Sequence, residues 1–554
     1  MNNQNNNAPM LNAYPDSMGG TLGDIVKCLK HEALKDTFGS FYVLPSMFNT
    51  DLDRGFSVID YSLNESMVQK EDLEELKALG LDLKLDFILN HASVLSPQFQ
   101  DLVEKGHESE YKDFFIDWNA FWEGQGEMTA EGYIQPSPEL IKEMFFRKPG
   151  LPILMVKMNE GEYVPYWNTF YQEVSYREVT PQTLMKCTNI QYTEASMLAK
   201  NIQTQLEAGV HPTKLELCTD TTHKQAIIAC VEAGAEYLGQ MDLNIKSPLV
   251  WAFYDEVLKK LAEYGAKIVR LDAFAYASKE IGKKNFLNEP ETWTILERVQ
   301  ALADKYNITL LPEIHATYGE KIHEVLSDKG YMTYDFFLPG LVIDAIENHT
   351  AKYLVNWANE TVDKGIKVVN MLGCHDGIPL LDLKGILDEE RINNLIETVV
   401  SRGGYVKNLH GQKNMYYQVN ATYYSALGED EQKMMLARAI QLFMPGKPQV
   451  WYLDLFAGTN DHEAVVKAGP NGHKEINRTN LTDEVIEERL ATSLVQKQVE
   501  LIRFRKNHPA FSEASVFTAK ETGETMTLIW ENGEHKAELC ANLQDYTYTI
   551  TATE

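Results

Sequence analysis

The stretch Lys267-Ile-Val-Arg-Leu-Asp272 places a polar residue at the end of a short apolar run. Such a run, rich in β-branched residues, predicts a strand buried on both faces, as in a parallel sheet covered by helices. Similar runs recur with amphipathic helical stretches between them, at residues 39–45, 83–90, 308–313, 334–338 and 367–372. Repeated strand–helix units over several hundred residues favour an α/β fold of the (β/α)8 TIM-barrel type over an open sheet.

The barrel is interrupted and extended. No glycine-rich phosphate loop follows the first predicted strands, which argues against dinucleotide-binding and P-loop folds. The predicted barrel comprises residues 11–95, 243–382 and 432–505. Connections too long for simple loops indicate an inserted subdomain at 96–242 and a second, smaller insertion at 383–431. Residues 506–554 alternate as short strands with polar turns and predict a C-terminal antiparallel β-domain.

Charge and cysteine content narrow the class of protein. With 80 acidic against 51 basic residues, the net charge is −29, which repels nucleic-acid backbones and anionic membrane surfaces. Six cysteines stand without metal-site or disulfide-framework spacing, as in a reducing compartment. Residues 1–10 are Asn-rich, lack signal-peptide features and are expected to be a disordered lead-in. We therefore expect a cytoplasmic protein with no membrane span, no metal and no cofactor.

Three predicted strand ends supply three carboxylates, Asp272, Glu313 and Asp376. In a barrel, the carboxyl ends of the strands build the active site. Retaining glycoside chemistry needs two carboxyl groups about 5–5.5 Å apart, one as nucleophile and one as acid. Arg270 lies two residues before Asp272 on the same face of its strand, where its charge is expected to keep Asp272 ionised. His375 and His91 stand where they can bind sugar hydroxyl groups.

Four segments around these residues resemble the motif regions of the α-amylase clan: Asp86-Phe-Ile-Leu-Asn-His91, Val269-Arg-Leu-Asp-Ala273, Glu313-Ile-His315 and Leu372-Gly-Cys-His-Asp376. Five more segments resemble the sucrose phosphorylase group of glycoside hydrolase family 13: Asp53-Arg-Gly-Phe-Ser-Val-Ile-Asp-Tyr61, Arg147-Lys-Pro-Gly-Leu-Pro152, Tyr417-Gln-Val-Asn420, Tyr423-Tyr-Ser-Ala-Leu-Gly428 and Ile476-Asn-Arg478. The resemblance covers most of the chain and is interrupted by extra material near 171–237.

The resemblance implies a role for each matching residue. Asp272 would be the nucleophile that forms a glucosyl-enzyme, Glu313 the general acid/base and Asp376 the transition-state stabiliser. The implied substrate-binding residues are Asp53, Phe56, His91, Arg147, Lys148, Gln240, Arg270, Tyr276, His315, His375, Tyr417, Gln418 and Arg478. Inorganic phosphate would then attack the glucosyl-enzyme and release α-glucose 1-phosphate with net retention. By likeness to the group the chain could form a homodimer, which nothing in its residues demonstrates.

Two loops depart from the family pattern. The first acceptor loop has Phe146-Arg147-Lys148 where the family has Arg-Pro-Arg, and the second, within 383–431, has Asn414-Met415 where the family has Leu-Asp. His410 and Lys413 come just before that pair. Losing a carboxylate and gaining cations suits a phosphorylated sugar. We therefore expect sucrose 6'-phosphate as donor and fructose 6-phosphate as leaving group.

Several alternatives stay open. Plain sucrose is the next donor, and a related glucosyl phosphorylase, a transglucosidase or a hydrolase would keep the same carboxylates. A non-catalytic sugar-binding barrel is a distant alternative, because all three carboxylates are present. Arg147 and Lys148 fit a solvated surface pair as well, and His315 fits a support for the loop of Glu313. Cys374, beside His375, is expected to fill the core.

Overall fold

The computed structural model describes residues 7–144, 146–148, 150–408, 416–469 and 472–553, without the side chains of 407–408 and 416–417. Eight parallel strands form its central sheet: β1 (Met10–Ala13), β2 (Ser40–Val43), β3 (Asp82–Ile88), β4 (Ala266–Asp272), β5 (Thr309–Pro312), β6 (Thr333–Asp335), β7 (Val368–Met371) and β8 (Lys447–Trp451). Their order is β5-β4-β3-β2-β1-β8-β7-β6. The edge strands β5 and β6 lie next to each other, so the sheet nearly closes as a barrel. The predicted barrel is confirmed.

Each barrel strand is followed by a helix. In chain order these are Leu22–Lys30, Lys70–Ala78, Pro248–Glu263, Glu291–Ala303, Ile322–Asp328, Leu338–Asn348 with Lys352–Asp363, Glu431–Phe443 and Ser493–Asn507. Local sequence fixes several starts, since Thr21, Asp430 and Thr492 accept hydrogen bonds from backbone N–H groups of the first helical turn. The helices pack apolar faces onto the barrel, and one extended core runs from Met10 to Ile502.

Two of the eight strands lack a clear sequence signal. β1 begins at Met10, inside the range expected to be a disordered lead-in, because its backbone pairs with both β2 and β8. β8 carries the buried residues Lys447 and Gln449. Lys447 donates a hydrogen bond to the carbonyl oxygen of Ala8, and Gln449 accepts one from the amine of Lys84. Polar residues that pair inside the barrel break the apolar run on which strand prediction depends.

The long connection after β3 holds most of the additional structure. Its strands are His91–Ser93, Gly126–Met128, Ile134–Pro136, Ile153–Lys157, Tyr163–Trp167, Gln172–Tyr176 and Ala235–Asp242. Its helices are Pro97–Lys105, Trp118–Phe121, Pro138–Ile141, Pro181–Thr188, Tyr192–Glu207 and Thr221–Ala233. The last three helices share their own small apolar core, which includes Leu184, Ile202 and Ile227. We call these three helices the helical unit; the antiparallel strands Gln172–Tyr176 and Ala235–Asp242 connect it to the barrel.

The remaining elements lie around the barrel rim and at the C-terminus. After β7 come strands Ile378–Pro379, Tyr405–Asn408 and Tyr416–Asn420 and helices Glu389–Ser401 and Tyr423–Ala426. Strands Phe48–Thr50 and Val58–Leu63 follow β2, and helices Tyr452–Leu455, His462–Ala468 and Asp483–Leu490 follow β8. The C-terminal antiparallel sheet has strands Val516–Thr522, Thr525–Asn532, His535–Asn542 and Thr547–Thr553. Within the described ranges, no helix combines the length and apolarity needed to cross a membrane.

Candidate active site

One arginine contacts carboxylates from three neighbouring strands of the barrel. Arg270 points into the barrel from β4, and its Nη1 lies 2.9 Å from Asp272 Oδ1 and 2.6 Å from Asp86 Oδ1. Its Nη2 lies 2.8 Å from Oε1 of Glu313, the residue after β5. Strands β3, β4 and β5 are neighbours in the sheet, which places these side chains around a single guanidinium. Two of the three predicted catalytic carboxylates therefore share one counter-ion.

Asp272 and Glu313 differ in their preferred protonation state. Burial raises the pKa of Asp272 well above its usual range, against the opposing charge of Arg270. Burial acts on Glu313 in the same direction, but Arg270 and His315 outweigh it and lower the pKa of Glu313 to about 2. The expectation that Arg270 keeps Asp272 ionised is thus incomplete, because the same guanidinium also serves Glu313. Groups that share a counter-ion titrate as a pair.

Asp376, on the loop after β7, is held by a lysine on one side and a histidine on the other. Lys474 Nζ lies 2.6 Å from Asp376 Oδ1, and His375 Nε2 lies 3.2 Å from Oδ2. Although burial opposes it, these two neighbours hold the pKa of Asp376 well below its usual range. Gln418 fixes the backbone by donating to the carbonyl oxygen of Asp376 at 2.7 Å. Asp376 is therefore an ionised, fixed carboxylate.

A second carboxylate, Asp53, lies near Lys474 and Arg478. Lys474 Nζ and Arg478 Nη1 each lie 3.7 Å from an Asp53 oxygen. Arg478 also donates through Nε to the carbonyl oxygen of His375 at 3.0 Å. Burial opposes the charge of Lys474, but Asp376 and Asp53 raise its pKa well above the usual range. Asp376, Lys474, Asp53 and Arg478 thus alternate in sign along one wall of the pocket.

Phe56 joins several of the predicted sugar-binding residues. Its ring stacks on His375, with centroids 5.0 Å apart and an interplanar angle of 12°. Its backbone oxygen lies 3.0 Å from His91 Nε2 and accepts a hydrogen bond of 3.0 Å from Gln240 Nε2. The guanidinium of Arg270 lies 5.4 Å from the Phe56 ring centroid. Residues from four distant segments therefore meet at Phe56, two at its ring and two at its backbone oxygen, beside the carboxylates.

An aromatic wall lies on the side of the inserted subdomain. The ring of Phe170 lies 5.1 Å from Tyr276 and 5.1 Å from His91, measured between centroids. Arg147 covers this wall, with its guanidinium carbon 5.5 Å from the Phe170 ring and 5.9 Å from the Tyr276 ring. Sequence analysis missed Phe170; its only signal is its place in the aromatic run Tyr166-Trp-Asn-Thr-Phe-Tyr171.

The acceptor-loop residues have separate surroundings. Lys148, next to Arg147, donates to the amide oxygens of Asn168 and Gln172, the latter at 2.7 Å. Burial lowers the pKa of Lys148 to about 7. Tyr417 belongs to the strand Tyr416–Asn420, but its side chain is outside the described part of the chain. His410, Lys413, Asn414 and Met415 also lie outside the described residues.

His315 lies between two carboxylates. Its Nδ1 is 3.2 Å from Asp382 Oδ1, and its Nε2 is 3.6 Å from Glu313 Oε1. Burial opposes protonation, but Asp382 and Glu313 outweigh it and raise the pKa of His315 to about 9. A cavity at this point is lined by residues that include Glu313, His315, Asp376 and Gln418. Sequence analysis did not single out Asp382.

One cluster of candidate metal ligands lies away from the carboxylates of the pocket. Among the described residues, only His323, Glu324 and Glu360 have ligand atoms within metal-binding distance of one another. Both carboxylates already pair with Lys364, at 2.8 and 2.7 Å. Their charge is therefore compensated by protein groups.

Comparison with known proteins gives close relatives over the full length. The chain is 49% identical to sucrose 6(F)-phosphate phosphorylase of Ilumatobacter coccineus, covering 98% of this chain and 95% of the relative. It is 30% identical to sucrose phosphorylase of Streptococcus mutans, covering 99% and 98%.

Solved structures give the same answer. The crystal structure of sucrose 6F-phosphate phosphorylase from Thermoanaerobacter thermosaccharolyticum superposes with a TM-score of 0.81 at 32% identity, covering 100% of this chain and 96% of the other. No family model matches the sequence. The relatives and the structure confirm the resemblance found in the sequence motifs. The chain therefore belongs to the sucrose phosphorylase family, whose members include the sucrose 6(F)-phosphate phosphorylases.

Proposed function

We propose that this glycosyltransferase of the disaccharide phosphorylase type converts sucrose 6'-phosphate and inorganic phosphate into α-D-glucose 1-phosphate and fructose 6-phosphate. One observation carries the proposal: Arg270 contacts both Asp272 and Glu313, beside a third carboxylate, Asp376, held ionised by Lys474. Carboxyl groups that contact one guanidinium are close enough for a retaining double displacement. The 49% identity to a sucrose 6(F)-phosphate phosphorylase supports the choice of donor.

In the first half-reaction, Asp272 attacks the anomeric carbon of the glucosyl group. The bond from that carbon to the fructosyl oxygen breaks, and Glu313 gives its proton to the departing oxygen. In the structure the buried Asp272 is the group that favours the proton, so binding of the donor has to move it to Glu313 within this pair. Positive charge develops at the anomeric centre in this step. Asp376 stabilises it, because Lys474 and His375 keep that carboxylate ionised. The product is a covalent glucosyl-enzyme with inverted configuration.

In the second half-reaction, inorganic phosphate takes the place of fructose 6-phosphate. Glu313 now acts as a base and removes the proton from the attacking phosphate oxygen. Arg270 and His315 favour the ionised form of Glu313 against burial, and this half-reaction starts from that form. A second inversion at the anomeric carbon gives net retention.

Recognition of the donor's own phosphate group is assigned to the acceptor loops. The net charge of −29 repels anions, so local cations must bind both phosphate groups. Arg147 lies beside Tyr276 and Phe170, next to the predicted glucosyl pocket. A guanidinium can bind phosphate through two hydrogen bonds, which an ammonium group cannot match. Arg147 is therefore the first candidate, and Lys148, bonded to two amides, is the second.

The test measures release of glucose 1-phosphate from sucrose and from sucrose 6'-phosphate, each with and without inorganic phosphate. We expect a large preference for the phosphorylated donor and strict dependence on phosphate. A preference for plain sucrose would assign the cations to the attacking phosphate instead. Glucose without glucose 1-phosphate would make the enzyme a hydrolase and refute the proposal.

The cellular setting is part of the same proposal. All six cysteines carry no disulfide in this structure, which supports a cytoplasmic location. The acidic surface supports small-molecule substrates over nucleic acid as partners. Gel filtration with light scattering would test the homodimer expected by likeness to the family.

A further inference from the structure

We propose that Asp382 is a positioning residue for phosphorolysis: it keeps His315 protonated beside Glu313, and this imidazolium binds the incoming phosphate. The inference rests on the phosphorolytic function proposed above and adds to it a residue that the sequence motifs do not single out. Asp382 itself does not line the cavity; it acts through His315, which does.

The geometry of the three side chains fixes their roles. Asp382 Oδ1 lies 3.2 Å from His315 Nδ1, and Glu313 Oε1 lies 3.6 Å from Nε2. A neutral imidazole carries a single N–H, so it can donate to only one of two flanking carboxylates. The protonated ring donates to Asp382 and directs its second N–H and its positive charge towards Glu313, 3.6 Å away. A histidine between two acids is thus arranged as a cation.

The ring cannot easily turn away from this position. His315 stacks on Phe336 with centroids 3.8 Å apart and an interplanar angle of 20°. The side chain of Asp382 is only 3% exposed, which keeps its contact with His315 out of water, and that of His315 is 16% exposed on the cavity side. A buried pair is screened less by solvent and salt than an exposed one. Asp382 therefore fixes both the orientation and the charge of the ring.

Phosphorolysis creates a need for this cation. Once the leaving group has taken the proton of Glu313, an ionised carboxylate and a phosphate dianion must come together in one cavity. Like charges a few ångströms apart repel strongly in a low-dielectric site. The nearest other cation on Glu313 is Arg270, which is also paired with the buried carboxylate of Asp86. His315 is the cation on the cavity side of Glu313.

Atoms and charge are conserved in this step. An oxygen of monohydrogen phosphate attacks the anomeric carbon, and the bond from that carbon to Asp272 breaks with its electron pair staying on the carboxylate. The proton of the attacking oxygen passes to Glu313. The products are glucose 1-phosphate dianion, ionised Asp272 and protonated Glu313. His315 keeps its proton throughout and serves only as a charge. Water, a neutral nucleophile, has no comparable need for it.

The experiment separates phosphorolysis from every earlier step. Wild type and Asp382→Asn are supplied with α-D-glucosyl fluoride, whose leaving group needs neither a phosphate-binding loop nor protonation by a sugar-specific contact. Both enzymes then form the same glucosyl-enzyme, and the ratio of glucose 1-phosphate to glucose reports its partition between phosphate and water. We expect Asp382→Asn to lower this ratio at pH 7.5 at least tenfold, with hydrolysis changed less than twofold.

The pH profile gives an independent readout. The charged groups nearest His315 are Asp382 and Glu313, and Arg270 and Asp376 act on Glu313 in turn. The protonated ring is present below its pKa, about 9 in the native protein. Removing the Asp382 charge lowers that pKa, so the alkaline limb of phosphorolysis should move to lower pH. Asp382→Glu should restore both the ratio and the limb, and His315→Gln should lower the ratio at every pH.

Asp344→Asn is the matched control. Asp344 is another buried aspartate with a cationic partner, Arg391, at 2.6 Å, and it has no contact with the site residues. Its loss should cost stability but leave the partition ratio unchanged. Equal loss of both products in Asp382→Asn, or an unmoved alkaline limb, would overturn the role of Asp382. A wild-type enzyme that yields glucose alone would instead overturn the proposed function, and this inference with it.

Discussion

Lys474 offers the sharpest test of how the pocket's charges act on catalysis. Its Nζ lies 2.6 Å from Asp376 and 3.7 Å from Asp53, and its side chain is 15% exposed. In Lys474→Met, a side chain of similar length loses this charge-assisted hydrogen bond, which is worth about 1.5–3 kcal/mol. If the bond acts fully in the transition state, kcat/KM should fall about 10–150-fold, since each ~1.4 kcal/mol is a factor of ten.

The pH dependence of Lys474→Met has a definite sign. Although burial opposes it, His375 and Lys474 hold the pKa of Asp376 well below its usual range, so the active, ionised form persists as the pH falls. Without Lys474 that pKa rises, and the acid limb of kcat/KM should move to higher pH. Stability from the ionised carboxylate is likewise present above its unfolded-state pKa and lost as the pH falls through the native one. In the variant that loss should begin at a higher pH.

The assay is the initial rate of glucose 1-phosphate release across pH 4–9, with urea unfolding at the same pH values. Lys474→Arg is the control, because it keeps a cation near Asp376 and should restore the position of the acid limb. The same pH dependence of urea unfolding in wild type and Lys474→Met would refute the reasoning. It would mean that Asp376 does not depend on Lys474 for its charge.

Three further predictions follow from the same contacts. Asp272→Asn should lower turnover at least about 10⁴-fold without unfolding the protein, and mass spectrometry should find no glucosyl adduct; undiminished activity would exclude Asp272 as nucleophile. Arg147→Ala should raise KM for the phosphorylated donor about tenfold or more and weaken phosphorolysis more than hydrolysis; equal losses would contradict the phosphate role. Tyr176 and Ala235 are paired at the ends of two antiparallel strands, so replacing residues 177–234 with Asn-Gly should create a two-residue hairpin and leave a folded barrel, checked by circular dichroism.

Much of the fold follows from local pattern. The apolar runs of β3 and β4 predicted buried parallel strands because both faces of such strands meet apolar layers. The pattern could not reveal β1 and β8. On β8, Lys447 and Gln449 pair with groups that are distant in sequence, and β1 is held by backbone pairing with a strand on each side. Met10 pairs with Ser40 on one side and Gln449 on the other. Only closure of the barrel brings these partners together.

The candidate site divides in the same way. Asp272, Glu313 and Asp376 were predicted because each follows a strand, and strand ends converge at one rim of a barrel. Lys474 and Asp382 have no such signal. Lys474 lies in a short 3-10 helix, His473–Asn477, and Asp382 in another, Leu381–Leu383. Cations and acids in surface loops are common, so their sequence gives no reason to connect them with a pocket.

The sequence by itself determined the reactive groups of the protein: three carboxylates in motif order and the arginine near the first of them. It also determined the strand–helix repeat that brings these groups to one rim of the barrel. Only the tertiary structure decided their charges. Arg270 is shared by Asp272 and Glu313, Lys474 stabilises the ionised form of Asp376, and Asp382 does the same for protonated His315. The physical reason is that protonation depends on distances of a few ångströms in a buried, weakly screened site, and such distances are set by packing between remote segments.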